Sequence, residues 1–92
     1  MRLVARKFMI RGMVQGVGFR YFTQRSAARH QVLGYVRNLD DGAVEAFAQG
    51  SEAAVEAFKQ DLTAGPRFSS VDDIEEFVMD LTTEFSSFRI ER

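Results

Sequence analysis

Residues 12–22 read GMVQGVGFRYF. Glycines stand at 12, 16 and 18, an arginine follows at 20, and aromatic residues at 19, 21 and 22 begin a stretch of helical spacing. Glycine at 16 and 18 leaves a sharp bend without Cβ atoms, so backbone N–H groups there can turn inward and meet one small anion. The bend runs into a helix whose first N–H groups lack partners and carry partial positive charge, which suits a phosphate-sized dianion. Arg20, at the start of that helix, can clamp two oxygens with its planar fork. A strand-to-helix bend also takes glycine for conformational reasons alone, and an arginine there can be a plain surface charge. Both readings stand at this point.

Two phosphate motifs fail on inspection. G-x-x-x-x-G-K-[ST] counted from Gly12 needs glycine at position 17, which is Val17, and G-x-G-x-x-G counted from Gly16 needs one at position 21, which is Tyr21. ATP chemistry is therefore not expected. An RNA-recognition signature aligns at Gly16, Gly18, Phe19 and Phe22, on a module of the same element order. It fails where it matters. Val17 replaces a stacking aromatic, Arg20 a buried valine and Gln15 the leading base, and the stretch follows the first strand instead of forming the third.

Working outward, residues 3–13 alternate as a strand, with Val4, Phe8 and Ile10 on one face and Ala5, Lys7, Met9 and Arg11 on the other. Phe19, Phe22, Thr23, Ser26, Ala27 and His30 recur at helical spacing. VLGYVRNL is a second strand, with Leu33, Tyr35 and Leu39 opposite Val36 and Asn38. DDG at 40–42 is a tight turn, and AVEAFAQ returns as the third strand of a hairpin. Ser51 caps a second helix with Val55, Phe58 and Leu62 as its apolar stripe, ended by Gly65 and Pro66. VDDIEEFVMDL is a charged strand, and residues 86–92 form a last, edge strand. The order βαββαβ with one short extra strand predicts an α+β, ferredoxin-like two-layer sandwich: an antiparallel sheet with both helices on one face. The phenylalanines are expected in the core.

The 92 residues suit one domain, spanning 1–92, with a modest core. There is no cysteine, so disulfides and thiolate chemistry are excluded, and a cytoplasmic location is expected. No apolar run approaches the roughly 20 residues of a membrane span. The arginine-rich N-terminus superficially suggests a transit peptide, but it lacks serine and leads directly into the glycine loop, so it reads as a strand. The net charge of −1 conceals an asymmetry. Residues 1–39 hold eight Lys or Arg and no acid, and residues 40–92 hold four bases and all thirteen acids, so the halves carry +8 and −9. Pairing of the halves across a sheet accounts for most of these charges, with Arg20 the expected exception. The acidic pairs Asp72–Asp73 and Glu75–Glu76 alternate faces of a strand without a neighbouring His, so they read as a salt-bridged surface and no metal site is expected. His30 reads as structural.

GMVQGVGFRYF followed by LGYVRNLDDGAVEAFAQG resembles the acylphosphatase family, over nearly the whole chain. The resemblance implies hydrolysis of small acyl phosphates to carboxylate and inorganic phosphate without metal. No cofactor is expected, and nothing in the sequence demands more than a monomer, nor a nucleic acid or a membrane. The resemblance also implies that Arg20 binds the phosphate, that Asn38 positions the attacking water, and that backbone N–H groups across Gln15, Gly16, Val17, Gly18, Phe19 and Arg20 form the cradle. Tyr35 stands where many members have tryptophan and Leu39 where many have threonine. The residues suit that chemistry. A carboxylate is a good leaving group, its acid having a pKa of about 4, so no general acid is required. Asn38 can orient a water but is no strong base, which leaves the substrate's own phosphate oxygens as proton acceptor. Asn38 can also be read as shaping the hairpin. Two other uses of the chain are open: a non-catalytic acyl- or carbamoyl-phosphate binding module of the same fold, and, ranked last, RNA binding.

Overall fold

The computed structural model describes residues 1–92. Strand β1 (Leu3–Met13) leads into helix α1 (Phe19–His30), strands β2 (Leu33–Asn38) and β3 (Val44–Ser51) form a hairpin, and helix α2 (Glu52–Ala64), strand β4 (Ser70–Met79) and short strand β5 (Phe88–Glu91) complete the chain. The sheet order is β4-β1-β3-β2-β5. Alternation decides which side of each strand is buried. Val4, Phe8 and Ile10 of β1, Val36 of β2 and Val44, Ala46 and Ala48 of β3 meet Phe19 and Ala27 of α1 and Val55, Phe58 and Leu62 of α2 in one core. Ser51 caps α2 as its residue type predicts, its Oγ accepting from the Ala54 N–H at 3.1 Å.

The sheet is mixed rather than wholly antiparallel. The four longer strands pair antiparallel, but β5 pairs parallel with β2, Gly34 opposite Phe88 and Val36 opposite Ile90. Residues 80–87 carry the chain from the β4 edge to the β2 edge, so it re-enters running in the direction of β2. Phe85, on that crossing, covers the face away from the helices. Its ring lies 5.3 Å from Phe47 and 5.8 Å from Tyr35, in a second small apolar cluster with Ala5. Two phenylalanines depart from the expected core. Phe68 is 74% exposed in the α2–β4 connection and Phe77 41% exposed on edge strand β4, each lying beside a cation, Arg67 and Lys7 respectively. Leu39 falls outside β2, in the hairpin turn.

Charge segregation resolves only in part into pairs across the sheet, with three of the eight bases of residues 1–39 pairing so: Arg6–Glu76 at 3.2 Å, Arg11–Glu75 at 4.0 Å and Arg37–Glu45 at 2.9 Å. The helices are joined separately. Asp61 of α2 accepts from Ser26 Oγ at 2.7 Å and Arg29 at 2.6 Å, and His30 Nε2 lies 3.0 Å from the same carboxylate oxygen. Burial pushes the Asp61 carboxyl up, but those hydrogen bonds outweigh it and hold the pKa below its ordinary value. A depressed folded-state pKa gives stability that is present above the unfolded value of about 4 and lost as pH falls through the folded value. Asp61→Asn is therefore expected to lose less stability than wild type between about pH 6 and about pH 3 in urea titrations. Equal losses in the two proteins would show that the clasp is not a source of acid sensitivity.

Candidate active site

All five strands have a terminus at one end of the sheet: β1, β2 and β5 finish there, β5 being parallel to β2, and β3 and β4 start there. The cleft at this end has a volume of about 710 Å³ and is lined by Val14, Gly16, Gly18, Phe19, Arg20, Tyr21, Asn38, Ile90 and Arg92. That volume lies within the range of small-molecule sites and exceeds what a phosphoryl group alone needs.

The 14–18 turn is open toward the cleft yet anchored beneath it. Gly16 and Gly18 adopt left-handed backbone with φ of 76° and 78°, conformations that cost glycine little. Val14 and Phe19 at the two ends are buried in the core, and Val17 packs against it from between the glycines. The turn is therefore anchored to the core at both ends and at its middle. Gly18 is the N-cap of α1 and has no side chain to satisfy the helix's first donors. The first intrahelical bond reaching back to the cap is Phe22 N–H to the Gly18 carbonyl at 3.1 Å. The first turn contains no acidic residue.

The sequence expectations for Gly16, Gly18, Phe19, Arg20 and Asn38 converge on this one cleft. Gln15 and Val17, expected through main-chain N–H groups, are not among its lining residues, and the side chain of Val17 faces the core. Arg20 takes part in none of the nine ion pairs, as the charge pattern suggested, but it shares that with Lys7, Arg25, Arg67 and Arg92. The lining contains no Asp, Glu or His, so it offers neither a hard oxygen ligand set for a cation nor a general base.

Four lining residues were missed, Val14, Tyr21, Ile90 and Arg92. Val14 directly precedes the expected cradle. Tyr21 adjoins Arg20 and could have been proposed from adjacency. Ile90 and Arg92 carried no signal, because only the parallel docking of β5 brings the end of the chain beside the loop. The RNA-recognition alternative finds no platform here, since residues 19–22 lie on α1 and not on a central strand.

The hairpin turn beside Asn38 is pinned from several sides. Leu39 N–H donates to the Ala43 carbonyl at 2.8 Å, and Gly42 N–H to the Leu39 carbonyl at 3.2 Å. Asp41 accepts from Ala43 N–H at 3.0 Å and from Arg11 at 3.0 Å. The Ala43 N–H foremost, with the Arg11 guanidinium, holds the Asp41 carboxyl below its usual range. Asn38 itself sits at the last paired position of β2, opposite Val44.

By fold the chain is an α+β sandwich, and the polar part of its cleft carries two arginines and no acid. The sequence profile of the acylphosphatase family matches residues 6–90, and the chain belongs to that family. It is 54% identical over 76 residues to the acylphosphatase of Nitrobacter winogradskyi, covering 83% of this chain and 77% of that one. With the acylphosphatase of Pasteurella multocida it shares 43% identity over 88 residues, 96% of this chain and 98% of the relative. The crystal structure of acylphosphatase from Bacillus subtilis superposes with a TM-score of 0.93 at 37% identity, over 99% of this chain and all of that one.

Proposed function

We propose that this protein hydrolyses the carboxyl–phosphate bond of small acyl phosphates, releasing a carboxylate and inorganic phosphate. The observation that carries this reading is the convergence of Arg20, Asn38 and the glycine turn on one cleft whose lining has no acid. In this reading the phosphoryl oxygens sit on main-chain N–H groups between Gln15 and Arg20, with the Arg20 fork on two of them. The Asn38 amide holds a water in line with the bond to be broken. The water oxygen bonds to phosphorus, the P–O bond to the acyl group breaks, and its electron pair leaves on the carboxylate. The water proton passes to a phosphate oxygen. The leaving group is the base of an acid of pKa about 4 and needs no proton on departure, which fits a site without a general acid. Positioning and electrostatic stabilisation then supply the rate, as in other phosphoryl transfers. We further infer action on free small molecules, by a monomer, in a reducing cytoplasm. The absence of cysteine supports the compartment, and no helix is long and apolar enough to cross a membrane.

The test is phosphate release from acetyl phosphate in the presence of a chelator. Turnover that persists under chelation is the expected result. Saturable phosphate binding with no turnover would overturn the hydrolase reading and leave a binding module, a use already disfavoured by relatives of matching length that are named as acylphosphatases.

A further inference from the structure

We infer that the Gln15 side chain is a positioning residue, which locks the phosphate cradle to the hairpin turn that bears Asn38. This rests on the acyl-phosphate reading above and concerns how its two halves are kept in register. The cradle follows β1, and Asn38 ends β2. These strands are not neighbours, because β3 lies between them. The distance between cradle and amide is thus not set by direct strand pairing and needs a separate link.

Gln15 supplies it. Its Nε2 donates to the Leu39 carbonyl at 2.8 Å and to the Ala43 carbonyl at 2.9 Å, using both amide protons. These carbonyls are the ones that close the turn, accepting also from Gly42 and Leu39 N–H respectively. Leu39 adjoins Asn38 and has an apolar side chain, so it can steady its neighbour only through its backbone, which is where Gln15 holds it. No side-chain hydrogen bond within the protein involves the Asn38 amide or the Arg20 guanidinium. The Asn38 amide therefore remains available to a water, and its aim depends on the backbone that Gln15 secures. The cradle has its own anchors in Val14, Val17 and Phe19. Removing the Gln15 link should thus spoil the attack geometry more than the grip on phosphate.

Gln15→Met keeps the length of the side chain and removes both donors. It is expected to lower kcat by about ten- to a hundredfold, the scale of a misplacement near 1 Å, while the inhibition constant for inorganic phosphate moves by less than about threefold. Added to Asn38→Ala, it should cost nothing more, because residues acting through one group are not additive. Gln15→Lys, which restores donors toward the two carbonyls, should recover most of the lost kcat. Unchanged kcat in Gln15→Met, or losses that multiply with Asn38→Ala, would overturn the inference while the hydrolase reading survives. A wild type that releases no phosphate would sink both. If Gln15→Met does not fold, Gln15→Lys and Gln15→Asn decide the matter. Asn keeps the donors on an arm one methylene too short, so it must lose kcat that Lys retains, and equal activity in the two counts against a positioning role.

Discussion

Arg20→Ala is expected to lower kcat/KM for an acyl phosphate by about a hundred- to a thousandfold, with the thermal unfolding midpoint unchanged. Both halves of that expectation come from the same geometry. Arg20 lines the cleft and forms no ion pair, so truncating it breaks no salt link of the fold. What it does remove is one of two side-chain cations, Arg92 being the other, from a lining without acids, and the one that stands at the start of α1 beside the glycine turn. Part of the loss should fall on KM, since the phosphoryl group is charged in the ground state as well as in the transition state. Arg20→Lys restores the charge without the two-pronged fork and should recover only a fraction of the activity. Full turnover in Arg20→Ala would remove the guanidinium from the mechanism altogether.

Asn38→Ala should show the complementary pattern. In the proposed mechanism the amide holds the attacking water and not the phosphoryl group, so the loss of about two orders of magnitude belongs in kcat. Inhibition by inorganic phosphate should stay close to wild type. Asn38 sits at the end of β2 with its backbone paired to Val44, and its side chain holds nothing together, so stability should again be preserved. The two variants together form a contrast that neither gives alone: one weakens both binding and turnover, the other turnover only. If Asn38→Ala instead weakened phosphate binding and left kcat intact, the amide would belong to the cradle and the water would need another holder.

Much of the fold was legible because its determinants are short-range. The alternation of Val4, Phe8 and Ile10 reports a half-buried strand. The spacing of Val55, Phe58 and Leu62 after Ser51 reports a capped amphipathic helix, and DDG before AVEAFAQ reports a hairpin. The residues that line the cleft together were legible in part, for a different reason. Gly16, Gly18 and Arg20 lie within five consecutive residues, and Asn38 adjoins a turn, so motif and resemblance reach them without any knowledge of distant contacts. The exposed Phe68 and Phe77 were misjudged because an aromatic residue type carries no information about which edge or connection its residue will occupy.

Residue order by itself therefore determined the elements, their succession and the glycine turn before α1, since each depends on backbone preferences and side-chain periodicities acting over a few positions. Only tertiary structure decided that β5 runs parallel to β2, that Ile90 and Arg92 complete the cleft, and that Gln15 reaches across to the Leu39 and Ala43 carbonyls. Those outcomes depend on which distant surfaces come together once the core has closed, and no local pattern in the chain encodes them.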